Sequence, residues 1–342
     1  MMRKSIFLGI ILVVGICILL VTNLSFGSVS IPFHEVLAIL FGHQEMAGNA
    51  SWTYIVMESR LPQALTAILA GASLSVSGLL MQTTFHNPLA GPDVFGISSG
   101  ASLAVALVML AFGGNLSLGS YSFSGFIAIL LAAFLGAMLI TLVISLISNW
   151  IKNNVVLLIV GMMVGYLASS AISLLNFFSV AEGVKSYMVW GMGSFGNVTR
   201  DELGVFSCMS LVCLMASFLF VKPLNGLLLG DLYAMNIGFS VKRVRLGLLI
   251  LTGLQTAIVT AFCGPIAFLG LITPHVVRLM VATDNHRPLL PLTMLMGAFI
   301  ALLCNQICCL PGYNGILPLN AVTPLLGAPI IIYVLLNRHR TL

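Results

Sequence analysis

The chain is a succession of apolar runs, each about as long as a bilayer is thick, and almost every charged residue falls between them. A helix needs roughly 20 apolar residues to cross the hydrocarbon core. Ten such runs are present, at residues 5–25, 61–84, 93–112, 123–148, 155–175, 203–221, 243–262, 266–282, 289–310 and 321–337. In lipid, backbone N–H and C=O groups must be paired within the segment, so runs of this length read as helices. The expectation is an all-α membrane protein of ten transmembrane helices in a single domain over residues 1–342. Composition agrees: 7% of residues are charged, against about 25% in soluble domains. So few charges cannot cover a water-facing surface.

The charges also orient the chain. An even number of crossings puts both termini on one side. With the termini in the cytoplasm, the inner segments carry Arg3, Lys4, Lys152, Lys222, Lys242, Arg243, Arg245, Arg278, Arg287, Arg338 and Arg340, which is 11 of the 14 basic residues. Arg60, Lys185 and Arg200 are the 3 outside. Lys and Arg concentrate on the cytoplasmic side of membrane proteins, which selects this orientation. Glu35, Glu45, Glu58, Glu182, Asp201 and Glu202 lie outside, giving the outer face 3 − 6 = −3. The net charge of +5 therefore reports topology, and no basic run with interleaved aromatics points to nucleic acid. The apolar stretch after Arg3-Lys4 continues through Val21 without a small-x-small cleavage pattern, so it reads as a retained first span.

Small residues recur at helical spacing in two runs: Ala67, Gly71, Ser75 and Gly78, and again Gly161, Gly165, Ser169 and Ser173. Such stripes let helix backbones approach closely in lipid, and lining a pathway is the functional alternative. Two Gly/Pro breaks resemble each other, Gly91-Pro92-Asp93-Val94-Phe95-Gly96-Ile97-Ser98 and Gly264-Pro265-Ile266-Ala267-Phe268-Leu269-Gly270-Leu271-Ile272-Thr273. The topology puts the first inside and the second outside. That is the pattern of an inverted pseudo-repeat, with spans 2–5 and 7–10 as its halves.

Chemistry is sparse. The dipeptide Gly-Lys never occurs, so no phosphate-binding Walker loop is present and ATP with its Mg would be bound by another chain. No His-x-x-x-His or Cys-x-x-Cys appears. The expectation is no enzyme and no cofactor in this chain. The seven cysteines read as small buried hydrophobes, with a soft-metal site at Cys304, Cys308 and Cys309 as the alternative. Proton-driven carriers use intramembrane relay groups. His275, after Pro274, is the main ionisable residue deep in a run, and it reads as a neutral imidazole satisfied by a backbone carbonyl. A stand-alone secondary transporter or channel is the rival class.

The longest inner connection, Lys222 to Arg245, contains Leu229-Gly230-Asp231-Leu232-Tyr233-Ala234-Met235-Asn236-Ile237-Gly238. It reads as a short helix capped near Asp231 and closed at Gly238. Four stretches then resemble the FecCD family of permeases of iron-chelate and vitamin B12 ABC importers: Arg60-Leu61-Pro62 through Gln82; Asn87-Pro88-Leu89-Ala90 through Ala101; Phe268 to Ile272 with Pro274-His275, Arg278, Asp284, His286-Arg287 and Leu289-Leu290-Pro291; and Thr323 with Gly327-Ala328-Pro329.

The resemblance covers nearly the whole chain. It implies a multi-pass permease of the bacterial inner membrane that works by alternating access with a second permease copy, two ATP-binding subunits and a substrate-binding protein. The implied cargo is a ferric siderophore first, with haem and cobalamin as the other chelates of the class. It also assigns residues. Gly230, Asp231, Ala234, Met235 and Gly238 fall in the ATPase-coupling segment, with Asp231 where Glu is usual and Met235 where Arg is usual. Lys152, Asn153 and Asn154 map to the cytoplasmic gate. Arg60 keeps one basic docking position for the binding protein, Gln63 stands at a usual Arg, Cys309 falls near another, and Ile316 replaces a usual Glu. Those departures and the −3 outer face imply a binding protein with a differently charged rim.

Overall fold

The computed structural model describes residues 2–27, 29–41, 50–113, 115–118, 121–148, 150–151, 153–309 and 317–338. Lys152 and Ile316 lie outside the described residues. Every apolar run is helical over most of its length. The first half holds α1 (Met2–Ser25), α2 (Phe33–Leu40), α3 (Ala50–Tyr54), α4 (Leu61–Thr84), α5 (Ile97–Ala106), α6 (Phe126–Ser148) and α7 (Asn154–Phe178). A π-helical stretch, Ile55–Arg60, joins α3 to α4. An antiparallel hairpin of β1 (Asn115–Leu118) and β2 (Tyr121–Ser124) spans the link from α5 to α6. The second half holds α8 (Ala181–Gly191), α9 (Arg200–Ser217), α10 (Val221–Leu228), α11 (Asp231–Asn236), α12 (Val241–Cys263), α13 (Leu269–Val281), α14 (His286–Cys308) and α15 (Leu319–Arg338).

Among the described residues, seven helical stretches are long and apolar enough to cross a membrane: Arg3–Ser25, Ala50–Thr84, Phe126–Ser148, Val155–Phe178, Arg200–Leu228, Val241–Cys263 and His286–Cys308. Three shorter apolar helices, Ile97–Ala111, Leu269–Val281 and Leu319–Tyr333, occupy the other three runs. The shortest, α13, has 13 residues, about 20 Å at 1.5 Å per residue, short of the roughly 30 Å hydrocarbon core.

Helices α4, α12 and α14 form the centre. They meet through small residues: a Cβ on Gly71 would collide with the Gly297 carbonyl and Ala301, and one on Gly78 with the Gly270 carbonyl of α13. Several buried hydroxyls bond back to their own helix, as Thr84 does to the Leu80 carbonyl at 2.7 Å and Thr256 to the Thr252 carbonyl at 2.8 Å. Interhelical polar ties are few. Gln63 on α4 donates to Asn305 on α14 at 2.9 Å. Asn305 donates to Asn23 on α1 at 2.8 Å, and Asn23 to the Leu302 carbonyl at 3.2 Å.

The two Gly/Pro breaks explain why α5 and α13 are short. The runs expected from residues 93 and 266 become helical only at Ile97 and Leu269. Each helix follows a left-handed residue, Gly96 at φ 74° and Phe268 at φ 71°. The breaks, assigned to opposite sides by the topology, meet each other. Asp93 accepts a hydrogen bond from Ser98 Oγ at 2.6 Å, and its carboxylate also faces the backbone N–H of Phe268. Asn320, at the start of α15, accepts from the Ala267 N–H at 3.2 Å and donates to the Gly191 and Pro265 carbonyls at 3.1 and 2.6 Å. A broken helix inside a membrane protein exposes N–H and C=O groups that lipid cannot satisfy, so each break folds back to where side chains can.

Candidate functional site

Helix α11 stands apart from the candidate spans, between α10 and α12. Gly230 precedes it at φ 104° and Gly238 follows at φ 97°, conformations an L side chain rarely adopts. The expected short helix is present, but its cap differs. The N-cap is Gly230, without a side-chain bond, and the Asp231 carboxylate turns to Arg245 on α12. Arg245 Nη2 donates to both carboxylate oxygens, at 3.1 and 2.9 Å. Ala234 is fully buried on the α10 side, with its Cβ near Gly226. Leu229, Leu232, Tyr233, Met235 and Ile237 are exposed, Leu232 to 75%. The result is an exposed apolar knob, braced by one ion pair and bounded by two glycines.

Helix α7 starts at the expected gate. Asn153 caps it, with Oδ1 accepting the Val155 and Val156 N–H groups at 2.9 and 3.4 Å. Asn154 is its first residue, and Lys152 lies outside the described residues. The small-residue stripe of α7 divides in two. Gly161 packs on Phe95 and Gly165 faces Ser99, both around the first break. One turn further on, Ser169 and Ser173 are exposed, and Ser173 Oγ bonds to the Ser169 carbonyl at 3.0 Å.

Arg60 and Gln63 are buried, at 8% and 9% exposure. The Arg60 guanidinium, expected to grip a partner, points inward. Nη1 donates to the Leu24 and Ser25 carbonyls at 2.7 and 3.0 Å, and Nη2 to the Val29 carbonyl. It therefore caps the C-terminus of α1, where carbonyls lack intrahelical donors and a cation suits the helix dipole. Gln63 is held by Asn305 and also reaches Cys309 Sγ at 3.8 Å. The exposed basic residue nearby is Arg200, paired with Glu58. On the connection between α7 and α9, burial pushes the Tyr187 phenol of α8 up to about 12, so it stays neutral beside Trp190.

His275 is satisfied as expected, with Nε2 2.8 Å from the Pro88 carbonyl. Cys304 and Cys308 are buried, and among the described residues no three His, Cys, Asp or Glu side chains gather as a metal site. Sequence reasoning missed the partners of Asp93, Asn320 and His286. Each depends on contacts between segments distant in the chain, and no local spacing encodes them.

Apolar helices of this length and number define a multi-pass membrane protein. Residues 12–337 match the FecCD transport family, and the chain belongs to that family. It is similar to the hemin transport system permease protein HmuU of Yersinia pestis, 32% identical over 340 residues, which are 98% of this chain and 97% of that protein. It is also similar to the vitamin B12 import system permease protein BtuC of Salmonella typhi, 33% identical over 316 residues, 89% of this chain and 92% of that one. Among solved structures, an ABC transporter chain described as metal-chelate type, in an inward-facing conformation, superposes with a TM-score of 0.81 at 27% identity, over 97% of this chain and 99% of that chain. PsaBC from Streptococcus pneumoniae shares the fold, with a TM-score of 0.57 at 19% identity over 87% of this chain and 95% of that one.

Proposed function

We propose that this chain is the single-domain, ten-span permease of an ATP-driven importer of iron complexes in a bacterial inner membrane. The cargo assigned is a ferric siderophore, with haem and cobalamin as the chelates to be separated from it by experiment. The seven long and three short apolar helices together match the ten runs. The 11-to-3 distribution of basic residues supports cytoplasmic termini. The paired breaks support the inverted pseudo-repeat.

The observation that carries the reading is α11. Its exposed apolar residues lie on the side that the charge distribution assigns to the cytoplasm, where an ATPase would sit. ATP and Mg belong to that partner, of which two copies serve a pair of permeases. Asp231 and Arg245 keep the lever rigid while Gly230 and Gly238 let it turn. Alternating access follows: nucleotide closure pushes α11, the core helices shift, and the pathway between two permease copies opens inward past the Asn153 end of α7. The exposed Ser169–Ser173 face supports a pathway or a second copy there, because serine gains nothing from facing lipid. Arg60 and Gln63 serve docking of the binding protein by holding the outer turn at Ser25–Val29 and the Cys309 end of α14, not by touching the partner.

The test is co-expression with candidate ATPase and binding-protein subunits, copurification, and ATP-driven uptake into vesicles of ferrichrome, haemin and cyanocobalamin in parallel. The expected result is a stable complex that carries ferrichrome above the other two. Uptake without any ATPase subunit overturns the reading in favour of a secondary carrier.

A further inference from the structure

His286 opens α14 and is fully buried, yet no part of the transport cycle described above uses it. Its hydrogen bonds can be assigned proton by proton. The Asn285 Oδ1 atom caps α14 by accepting the Arg287 N–H at 3.0 Å, so that atom is the carbonyl oxygen. It also lies 3.0 Å from Asn225 Nδ2, which must then be the donor. Asn225 Oδ1 therefore faces His286, where it accepts the backbone N–H at 2.9 Å and meets ring Nδ1 at 2.9 Å. An amide oxygen only accepts, so Nδ1 carries the ring proton. In the neutral ring Nε2 is then an acceptor, and the Thr83 hydroxyl 2.9 Å away gives its one proton to it rather than to the Leu79 carbonyl at 3.1 Å.

The imidazole thus joins three helices: α14 through its own backbone, α4 through Thr83 and α10 through Asn225. Asn225 lies six residues before Asp231, the first residue of α11. A second imidazole, His86 just past the end of α4, holds the last turn of the same short helix, with Nε2 2.8 Å from the Leu227 carbonyl. Leu224 and Leu227 bury the apolar side of α10 beside these ties. A short helix seated on apolar contacts alone can slide under load, because those contacts have no direction. Hydrogen bonds to both ring nitrogens fix its position and its rotation.

We propose that His286 is a positioning residue for energy coupling: it locks α10 to α4 and α14, so that a push received at α11 moves the membrane helices instead of being absorbed by α10. The inference rests on the coupling role given to α11 above. Of the two ring bonds, the Nδ1 bond carries the load, because it is the one that reaches α10, where it adds to the backbone N–H and Asn285 bonds on Asn225.

Asparagine places its amide nitrogen near the position of Nδ1, and glutamine places its own near Nε2. His286→Asn keeps the side-chain tie to α10, whereas His286→Gln keeps the tie to α4 and leaves α10 without a side-chain bond from residue 286. The test uses the assembled permease–ATPase complex with Ser173→Cys as reporter and the exposed Cys17 and Cys208 replaced by serine. Maleimide labelling is compared between nucleotide-free and ATP–vanadate states. The starting complex and His286→Asn should change labelling rate at least fivefold between the states. His286→Gln and Asn225→Leu should flatten that change to under twofold, while complex yield and ATP hydrolysis stay within twofold. Combining His286→Gln with Asn225→Leu should be no worse than either alone. If His286→Gln responds normally, if His286→Asn fails like His286→Gln, or if response, yield and hydrolysis fall together, the proposal is overturned. A starting complex that recruits no ATPase, or whose reporter ignores nucleotide, overturns the permease mechanism itself.

Discussion

Helices α4 and α7 have 24 and 25 residues and carry the same kind of small-residue stripe, yet they occupy opposite environments. Of the most apolar 18-residue stretch in the Ala50–Thr84 span, 83% is buried within the chain, against 17% in Val155–Phe178. On α4 the small residues are contact points. Gly71 and Ser75 meet Gly297, and Gly78 meets Gly270, so the stripe brings backbones together. On α7 only Gly161 and Gly165 do this, and Ser169 and Ser173 face outward. The difference teaches that a small-residue stripe has two uses on one scaffold. In the centre it sets the distance between helices; at the edge it leaves a smooth, exposed polar face.

The largest expected effect that would break this comparison is Gly78→Ala. Its new methyl meets the backbone carbonyl of Gly270, which cannot move aside as a side chain would. A loss of about 3 kcal/mol or more is expected, read as a fall in melting temperature and in monodisperse protein in detergent. Arg60→Ala should come next, at about 2–3 kcal/mol, because three carbonyls lose a charged donor. Arg60→Lys should recover little of it, since an ammonium cannot repeat the fork of the guanidinium. Ser169→Leu with Ser173→Leu should leave thermal stability within about 0.5 kcal/mol while cutting ATP-driven uptake about tenfold, equivalent to ~1.4 kcal/mol on the rate-limiting step. Unchanged uptake would show that this face meets lipid. Gly165→Ala should be smallest, within about 0.5 kcal/mol by the same thermal assay, because its Cβ would make an ordinary contact 3.4 Å from Ser99 Oγ.

Much of the architecture was legible in the chain before any folding. Apolar length gave the helices, because lipid leaves a backbone no other partner. Gly91–Gly96 and Gly264–Phe268 marked the breaks, and the glycines at 230 and 238 marked the ends of α11. The candidate site was legible only as positions. Asp231 looked like a cap and is a strut to Arg245. Arg60 looked like an outward docking charge and closes α1. A cation's position in the chain does not reveal which orphaned carbonyls will reach it first.

The sequence by itself determined that this protein lives in a bilayer, where its helices lie, that its chain breaks twice in related places, and that it has no nucleotide loop of its own. Hydrophobic length and backbone satisfaction are local constraints, and they can be read along one dimension. Only the tertiary structure decided that the two breaks meet at Asp93 and Phe268, that one small-residue stripe packs while the other lies half open, and that His286 ties the segment before α11 to the core. Those are contacts between segments up to about 200 residues apart, set by how helices pack when only shape and a few hydrogen bonds hold them together in lipid.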